Sequence, residues 1–435
     1  MGTKTAACYT AGELSARGRE DIPPALRSTE HLIYNSPASL LFNSPGAEGY
    51  GVKRAGLSVP ESVMLLVAPG CCGRNTSLIS AMPEYHNRFF YLMMDETDLV
   101  TGRHLGRISQ AISEILAFLP KKPEAVMICI TCVDALLGTD MERVCRRAEA
   151  ETGVRVRPCY MYALTREGRK PPMVHVRQSV YSMLEKSERD PRAVNLLGYF
   201  AGLREDCELY DLLSQAGIRT VREIGKCGSF REYLEMSQAN FNLILHPEAR
   251  FAARDMEERL GIPSVELTRL YQLDKLKRQY AALGQVLGRT LEDGAFYAEA
   301  ETEISGLRRE FGDLTFALGE TVNANPFELA LALLRYGFRV SEIYSAPAPE
   351  YYVYLDRIAA ISPGTRIYSN LEPTMLYYDA SEVPADVTVG KDAAYYQPQA
   401  PNLPWNSDLQ PFGYRGVAAL FRALRELLRK GETKE

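Results

Sequence analysis

The sequence predicts an α/β protein of three Rossmann-like domains with mainly parallel sheets. Three observations carry that expectation. The 435 residues, at roughly one domain per 150, leave room for about three domains. Short apolar runs, such as Val63-Met64-Leu65-Leu66-Val67, alternate with segments of helical periodicity. These runs are continuous, which suits strands covered on both faces of a parallel sheet, and each third of the chain repeats the same strand–helix alternation.

Residues 1–30 read as a loosely attached N-terminal arm with Pro23-Pro24 near its end. The first domain, 31–190, has strands at 62–67, 89–93, 125–130 and 154–158. Within it, Leu105, Ile108, Ile112, Ile115 and Leu116 share one face of a helix over 103–118. A second helix, 140–152, stops before Gly153. Pro191 opens the second domain, 191–297, with strands at 194–198, 219–224 and 239–245. Its helices fall at 205–217, 249–261 and 270–291, the first stopped by a glycine. The third domain, 298–435, begins with a helix over 298–311 and strands at 314–318 and 339–344. Helices at 326–337 and 351–361, short strands at 366–369 and 387–389, and an amphipathic helix over 417–429 complete it. The βαβ series implies mainly parallel sheets.

Hydrophobic content of 46% and charged content of 24% are those of an ordinary globular protein. A net charge of −5 argues against a nucleic-acid footprint. No apolar run approaches the roughly 20 residues of a membrane span, and the polar N-terminal stretch has no signal-peptide core. A cytoplasmic protein with no membrane or nucleic-acid partner is expected. Neither G-x-x-x-x-G-K-[ST] nor G-x-G-x-x-G occurs, and the glycines of Pro45-Gly46-Ala47-Glu48-Gly49-Tyr50-Gly51 have the wrong spacing.

The 9 cysteines are an odd number in a large chain, which makes a poor disulfide framework. Two pairs stand out because each lies at the end of an apolar strand. Ala68-Pro69-Gly70-Cys71-Cys72-Gly73 puts thiols on a sharp bend, and Cys129-Ile130-Thr131-Cys132 closes the strand at 125–130. Open α/β sheets place their chemistry at such ends. A thioredoxin-like dithiol lacks its usual context, and zinc lacks a second ligand pair. Iron–sulfur ligation, four thiolates held by backbone turns, suits the pattern better, and two chains across a two-fold axis can supply four. Buried structural cysteines are the standing alternative, and Cys145 and Cys207 read that way.

These motifs resemble the nitrogenase component 1 type oxidoreductase family. It includes nitrogenase subunits, cofactor scaffolds and reductases of tetrapyrroles. Ala68-Pro69-Gly70-Cys71-Cys72-Gly73 is similar to the family's G-P-x-G-C-G turn, with Cys72 in the ligand position. Asp95-Glu96-Thr97-Asp98-Leu99-Val100-Thr101-Gly102 is similar to E-x-D-x-V-x-G. Thr131-Cys132-Val133-Asp134-Ala135-Leu136-Leu137-Gly138-Thr139-Asp140 resembles C-x-x-x-x-I-G-D-D and nominates Cys132. Residues 239–245 and 256–263 look like the second domain, and Pro411-Phe412-Gly413-Tyr414-Arg415-Gly416 the C-terminal end. The likeness spans about residues 31–430. A further family cysteine is missing, since Ser44-Pro45-Gly46 stands in its place, so the resemblance implies a single 4Fe-4S cluster rather than an eight-iron one. Cys71 and Cys129 are nearby thiols that can replace the missing ligand or lie as bystanders. The position of the family's second metallocofactor ligand matches His246, which otherwise ends a strand, and Cys227, in the preceding loop, is a candidate substrate-pocket thiol or a loop thiol with no role.

What the resemblance implies is a reductase in which Cys72 and Cys132 of two subunits, in a homodimer or with a related component 1-like subunit, hold an iron–sulfur cluster. An ATP-dependent iron–sulfur reductase of component 2 type would deliver electrons, and a small-molecule substrate between the domains would receive them. Glu48, Asp134 and His86 are candidate proton donors. A metallocluster assembly scaffold and a small-molecule binding protein with structural cysteines are the rival functions.

Overall fold

The computed structural model describes residues 5–27, 51–73, 79–161 and 170–432, with the side chains of Cys71, Gly73, Ala135, Gly431 and Glu432 outside that description. In chain order the strands are β1 (Tyr9–Thr10), β2 (Ser62–Ala68), β3 (Phe89–Met93), β4 (Ala125–Ile130) and β5 (Arg155–Tyr160). They continue with β6 (Asp190–Leu197), β7 (Thr220–Arg222), β8 (Ala239–Ile244), β9 (Ser264–Glu266) and β10 (Thr315–Gly319). The last are β11 (Arg339–Tyr344), β12 (Arg366–Tyr368), β13 (Val387–Val389) and β14 (Asn402–Leu403). The expected α/β class with parallel sheets is what the chain adopts.

Two compact units hold these strands. One, from the described residues of Gly49–Gly202 and Gly217–Thr268, contains two parallel four-stranded sheets, ordered β3-β2-β4-β5 and β7-β6-β8-β9. The other takes the described N-terminal residues with Leu203–Ala216 and Arg269–Glu435. Its six-stranded sheet runs β1-β12-β11-β10-β13-β14, parallel except at β1.

Every residue of β2 and of β4 is buried, which accounts for their unbroken apolar sequence. Ile108, Ile112 and Ile115 turn the helix Arg103–Phe118 onto this sheet. Its entry is set by Asp95 and Asp98, a reciprocal cap on the helix Glu96–Thr101, and by Gly102 at φ 67° between the two helices.

The N-terminal segment departs from the expected loose arm. Tyr9 and Thr10 pair antiparallel with Ile367 and Arg366, so β1 covers the β12 edge that would otherwise stay unpaired. Thr10 and Glu13 then form a capping box on the helix Ala11–Arg17, whose Ala11 and Leu14 are fully buried. The C-terminal helix also begins earlier than its apolar periodicity suggested, at Gly413. Buried Glu208 accepts the Tyr414 and Arg415 backbone N–H groups and the Tyr280 hydroxyl, capping the helix from another segment. Among the described residues no helix is long and apolar enough to cross a membrane.

Candidate metal centre

In the first sheet the chain leaves β2 for β3 on one side and returns to β4 on the other. The C-terminal ends of β2 and β4 therefore flank the switch point at which open parallel sheets bind ligands. The register runs in step to Val67 opposite Ile130. Beyond it, Pro69 leads into the helical turn Gly70–Gly73, held by the Cys72 N–H donating to the Pro69 carbonyl at 3.0 Å. On the neighbouring strand, Thr131 leads into the helix Cys132–Leu136. Cys72 and Cys132 are both half-buried, each just past the end of one of two adjacent strands.

Cys129 and Cys159 differ from them. They are opposite one another in β4 and β5, both fully buried, and belong to the apolar core. Burial pushes the Cys129 thiol up to about 12, the Lys53 ammonium opposing that and the Cys72 thiol adding to it. Burial raises Cys159 as well. Such an environment favours neutral, packed thiols. Cys71 contributes backbone to the turn, and its side chain lies outside the described residues.

The helix Val52–Gly56 lies against this side of the sheet. A Cβ on Gly56 would meet the Met64 Cε at 2.6 Å and the Cys159 Sγ at 2.9 Å, so glycine permits the approach. The contact carries Lys53, 7% exposed, toward the thiol turn, where its Nζ donates to the Cys72 carbonyl at 3.4 Å. Burial draws the Lys53 pKa down while the Cys129 and Cys72 thiols favour the ammonium.

The Cys132 helix is pinned from below. Fully buried His104 donates from Nε2 to the Asp134 Oδ1 at 3.0 Å and from Nδ1 to the Asp98 carbonyl at 3.1 Å. Both ring nitrogens thus face acceptors, which only the imidazolium satisfies. Burial pulls the His104 pKa down, but the Asp134 hydrogen bond, the Asp98 carbonyl and the two carboxylates outweigh it and leave the group raised. Thr139 donates its hydroxyl to the same Asp134 oxygen at 3.1 Å, and the other oxygen, Oδ2, is buried with no hydrogen-bond partner. His104 was missed in the sequence. Its signal was a polar residue one turn before Ile108 on the buried stripe.

The remaining candidates lie elsewhere. His86 is exposed, and Glu48 falls outside the described residues. His246 follows β8 at the second sheet's own switch point, between β6 and β8. Its Nδ1 accepts the Glu248 N–H at 3.3 Å and caps the turn Pro247–Ala249. Gly198, at φ 130°, passes so close that a Cβ would meet the His246 backbone nitrogen at 2.8 Å. Buried Arg177 braces this turn through the Gly198 carbonyl at 3.0 Å and Glu248 at 2.7 Å. Cys227 donates its thiol to the Glu223 carbonyl at 3.4 Å, and burial pushes its pKa up to about 12.

Among the described residues no group of three or more His, Cys, Asp or Glu side chains is placed to hold a metal ion. Two half-buried thiols at one switch point, with Lys53 beside Cys72, are soft donors of the kind a cluster completed by a second chain would need.

A family profile described as Nitrogenase component 1 type Oxidoreductase matches residues 48–429. The chain is 29% identical over 175 residues to the nitrogenase molybdenum-iron protein alpha chain of Methanosarcina barkeri, covering 39% of this chain and 32% of that one. It is 27% identical over 238 residues to the nitrogenase iron-molybdenum cofactor biosynthesis protein NifE of Nostoc sp., covering 53% and 49%. These two matches thus span about a third to a half of the relatives' lengths. The NifE of Sinorhizobium fredii matches more fully, 24% identical over 411 residues and covering 88% of this chain and 82% of its own. The fold is similar to that of a solved structure described as nitrogenase Cp1 at pH 6.5, with a TM-score of 0.71, 15% identity and 97% of each chain covered.

Proposed function

The chain belongs to the nitrogenase component 1 type oxidoreductase family, and on that premise we propose that it is a reductase taking low-potential electrons through a cysteine-held iron–sulfur cluster shared by two subunits. The observation that carries the reading is the pair of half-buried thiols, Cys72 and Cys132, at the ends of adjacent strands in the first sheet. A 4Fe-4S cluster bound there supplies one-electron transfer at low potential. Four thiolates are needed and this chain offers two in suitable surroundings, so a second copy or a related subunit completes the set. Met93, Val100, Leu136 and Leu137 are exposed apolar residues near these strand ends, an arrangement that supports an interface there.

Within the chain, Cys72 and Cys132 act as ligands, and the His104–Asp134 pair holds the Cys132 turn. Cys129 fills the core, and Cys71 is the reserve thiol on the Cys72 turn. His246 and Cys227 belong to a second candidate pocket, at the β6–β8 end, for a small-molecule substrate or second metal group. An ATP-dependent iron–sulfur reductase is the electron donor this reading requires, and a cytoplasmic setting suits it. We divide the chain as an N-terminal arm, 1–30, that docks through β1, and three domains, 31–190, 191–297 and 298–435.

A second reading, a scaffold that assembles or carries a metallocluster, is favoured by the relatives named as cofactor biosynthesis proteins. The test is iron and sulfide analysis with EPR on anaerobically purified, reconstituted protein beside Cys72→Ala and Cys132→Ala. Iron lost in both variants supports the ligand assignment, and an iron-free wild type ends the cluster reading. Repeated reduction and reoxidation with the iron retained supports the reductase; transfer of the iron to an acceptor protein supports the scaffold.

A further inference from the structure

We propose that Lys53 is a charge-setting residue of the thiol site, its buried ammonium offsetting the negative charge gathered at Cys72 and making the bound cluster easier to reduce. The inference rests on the cluster reading above and adds a residue that neither the motifs nor the family likeness singled out.

The geometry is specific. Lysine is seldom this buried, because its ammonium is strongly hydrated. Here the helix Val52–Gly56 is pressed to the sheet by the absence of a side chain at Gly56, and the four-carbon stem of Lys53 is packed away with only 7% of the residue exposed. The head group donates to the carbonyl of Cys72 itself, at 3.4 Å. It therefore sits on the ligand-bearing turn and not merely in the same domain.

Four thiolates around an iron–sulfur core carry a net negative charge, and the added electron increases it. In that step one electron enters from the iron–sulfur donor, or from dithionite in a titration, and no covalent bond forms or breaks. A fixed positive charge stabilises the more negative state more than the less negative one, and low dielectric strengthens the effect. Net charge and hydrogen bonding are among the main settings of cluster potential. Lys53 supplies the positive charge, and its hydrogen bond ties that charge to the Cys72 turn.

The test uses the full-length chain as wild type, Lys53→Met, Lys53→Gln and Lys53→Arg, with and without reconstituted cluster. With cluster, EPR-monitored titration is expected to give a more negative midpoint for Met and Gln and a midpoint near wild type for Arg. Without cluster, Cys72 is alkylated with anionic iodoacetate and neutral iodoacetamide and read by fragment mass spectrometry. The ratio of the two rates cancels the thiolate fraction and reports local charge, so it is expected to fall several-fold in Met and Gln but not in Arg. Unchanged midpoints and an unchanged ratio in both neutral variants overturn the proposal. An unchanged ratio also overturns it if either neutral variant fails to fold while the other is native. If the wild type takes up no cluster, the cluster reading fails separately, while the rate ratio still decides whether Lys53 acts on the Cys72 thiol.

Discussion

Replacing His104 with leucine is the most informative single perturbation of the Cys132 turn. The wild-type ring bridges Asp134 at 3.0 Å and the Asp98 carbonyl at 3.1 Å, with both side chains of the pair fully buried. Leucine keeps the bulk but strands the Asp134 carboxylate, whose Oδ2 already has no partner and whose Oδ1 would retain only Thr139. Breaking one side of a buried ion pair costs about 3–5 kcal/mol. Replacing both partners by apolar residues costs much less, so His104→Leu/Asp134→Leu is expected to recover most of the loss. Urea unfolding followed by circular dichroism measures both. The pH dependence follows from the direction of the His104 shift. A raised folded pKa contributes stability that is fully present below the unfolded value of about 6.5 and is lost as pH rises through the folded value. Wild-type stability should therefore decline above about pH 6.5, with that part of the slope absent in His104→Leu. A loss under about 1 kcal/mol, or an identical pH slope in the variant, would refute the pairing argument.

Other residues give independent outcomes. Glu208→Ala leaves the Tyr280 hydroxyl and two backbone N–H groups of the C-terminal helix without their acceptor, and should cost about 2–4 kcal/mol in urea unfolding. Gly198→Ala places a Cβ at 2.8 Å from His246 in a backbone region that favours glycine; a loss of about 1–3 kcal/mol is expected, with changed His246 ring signals in NMR. Cys129→Ala should retain iron on anaerobic reconstitution while losing about 1–2 kcal/mol to the core cavity, and loss of iron would return Cys129 to the ligand set.

Much of the fold was legible because its strands are short runs rich in apolar and β-branched residues set between turns and helices. The expected strands at 89–93, 125–130, 339–344 and 387–389 coincide with β3, β4, β11 and β13. The helix 103–118 was readable from its stripe for a similar reason. What escaped depends on distant partners or on very short segments. β1 is two residues long and exists through its pairing with β12. The start of the C-terminal helix is set by Glu208, remote in sequence from Gly413. Cys132–Leu136 is too short to show a period, and the His104–Asp134 pair joins two motifs that sequence reading treated separately. The thiol-bearing strand ends could be named because a glycine- and proline-rich bend after an apolar run carries its own signal. The side chains that support them carry none.

The same doubly wound arrangement occurs in all three sheets, yet their switch points are furnished differently, and that difference bears on which of them can handle electrons. In the third sheet the loop after β10 meets Asp392, a fully buried carboxylate that accepts the Glu320 and Thr321 N–H groups at 2.9 Å each and the Asn370 amide at 2.7 Å. Its capacity is spent on the fold. In the second sheet His246 caps its own turn, Arg177 braces the backbone, and the Cys227 thiol donates to the Glu223 carbonyl. Among the described residues the first sheet alone presents soft donors past the ends of both central strands, and there the backbone turns are secured by other groups: the Pro69 carbonyl for Cys72, and the His104–Asp134 pair for Cys132. Cys72 packs only partly against the core and, like Cys132, stays half-buried, whereas Cys129 on β4 and Cys159 on β5 are consumed by packing. On the cluster reading proposed above, whether the site would keep its cluster or pass it on depends on how much of Cys72 and Cys132 stays accessible once a second subunit is in place. Differential alkylation of the assembled, iron-loaded oligomer measures that directly: protected thiols favour the reductase, and thiols that stay reactive favour the scaffold.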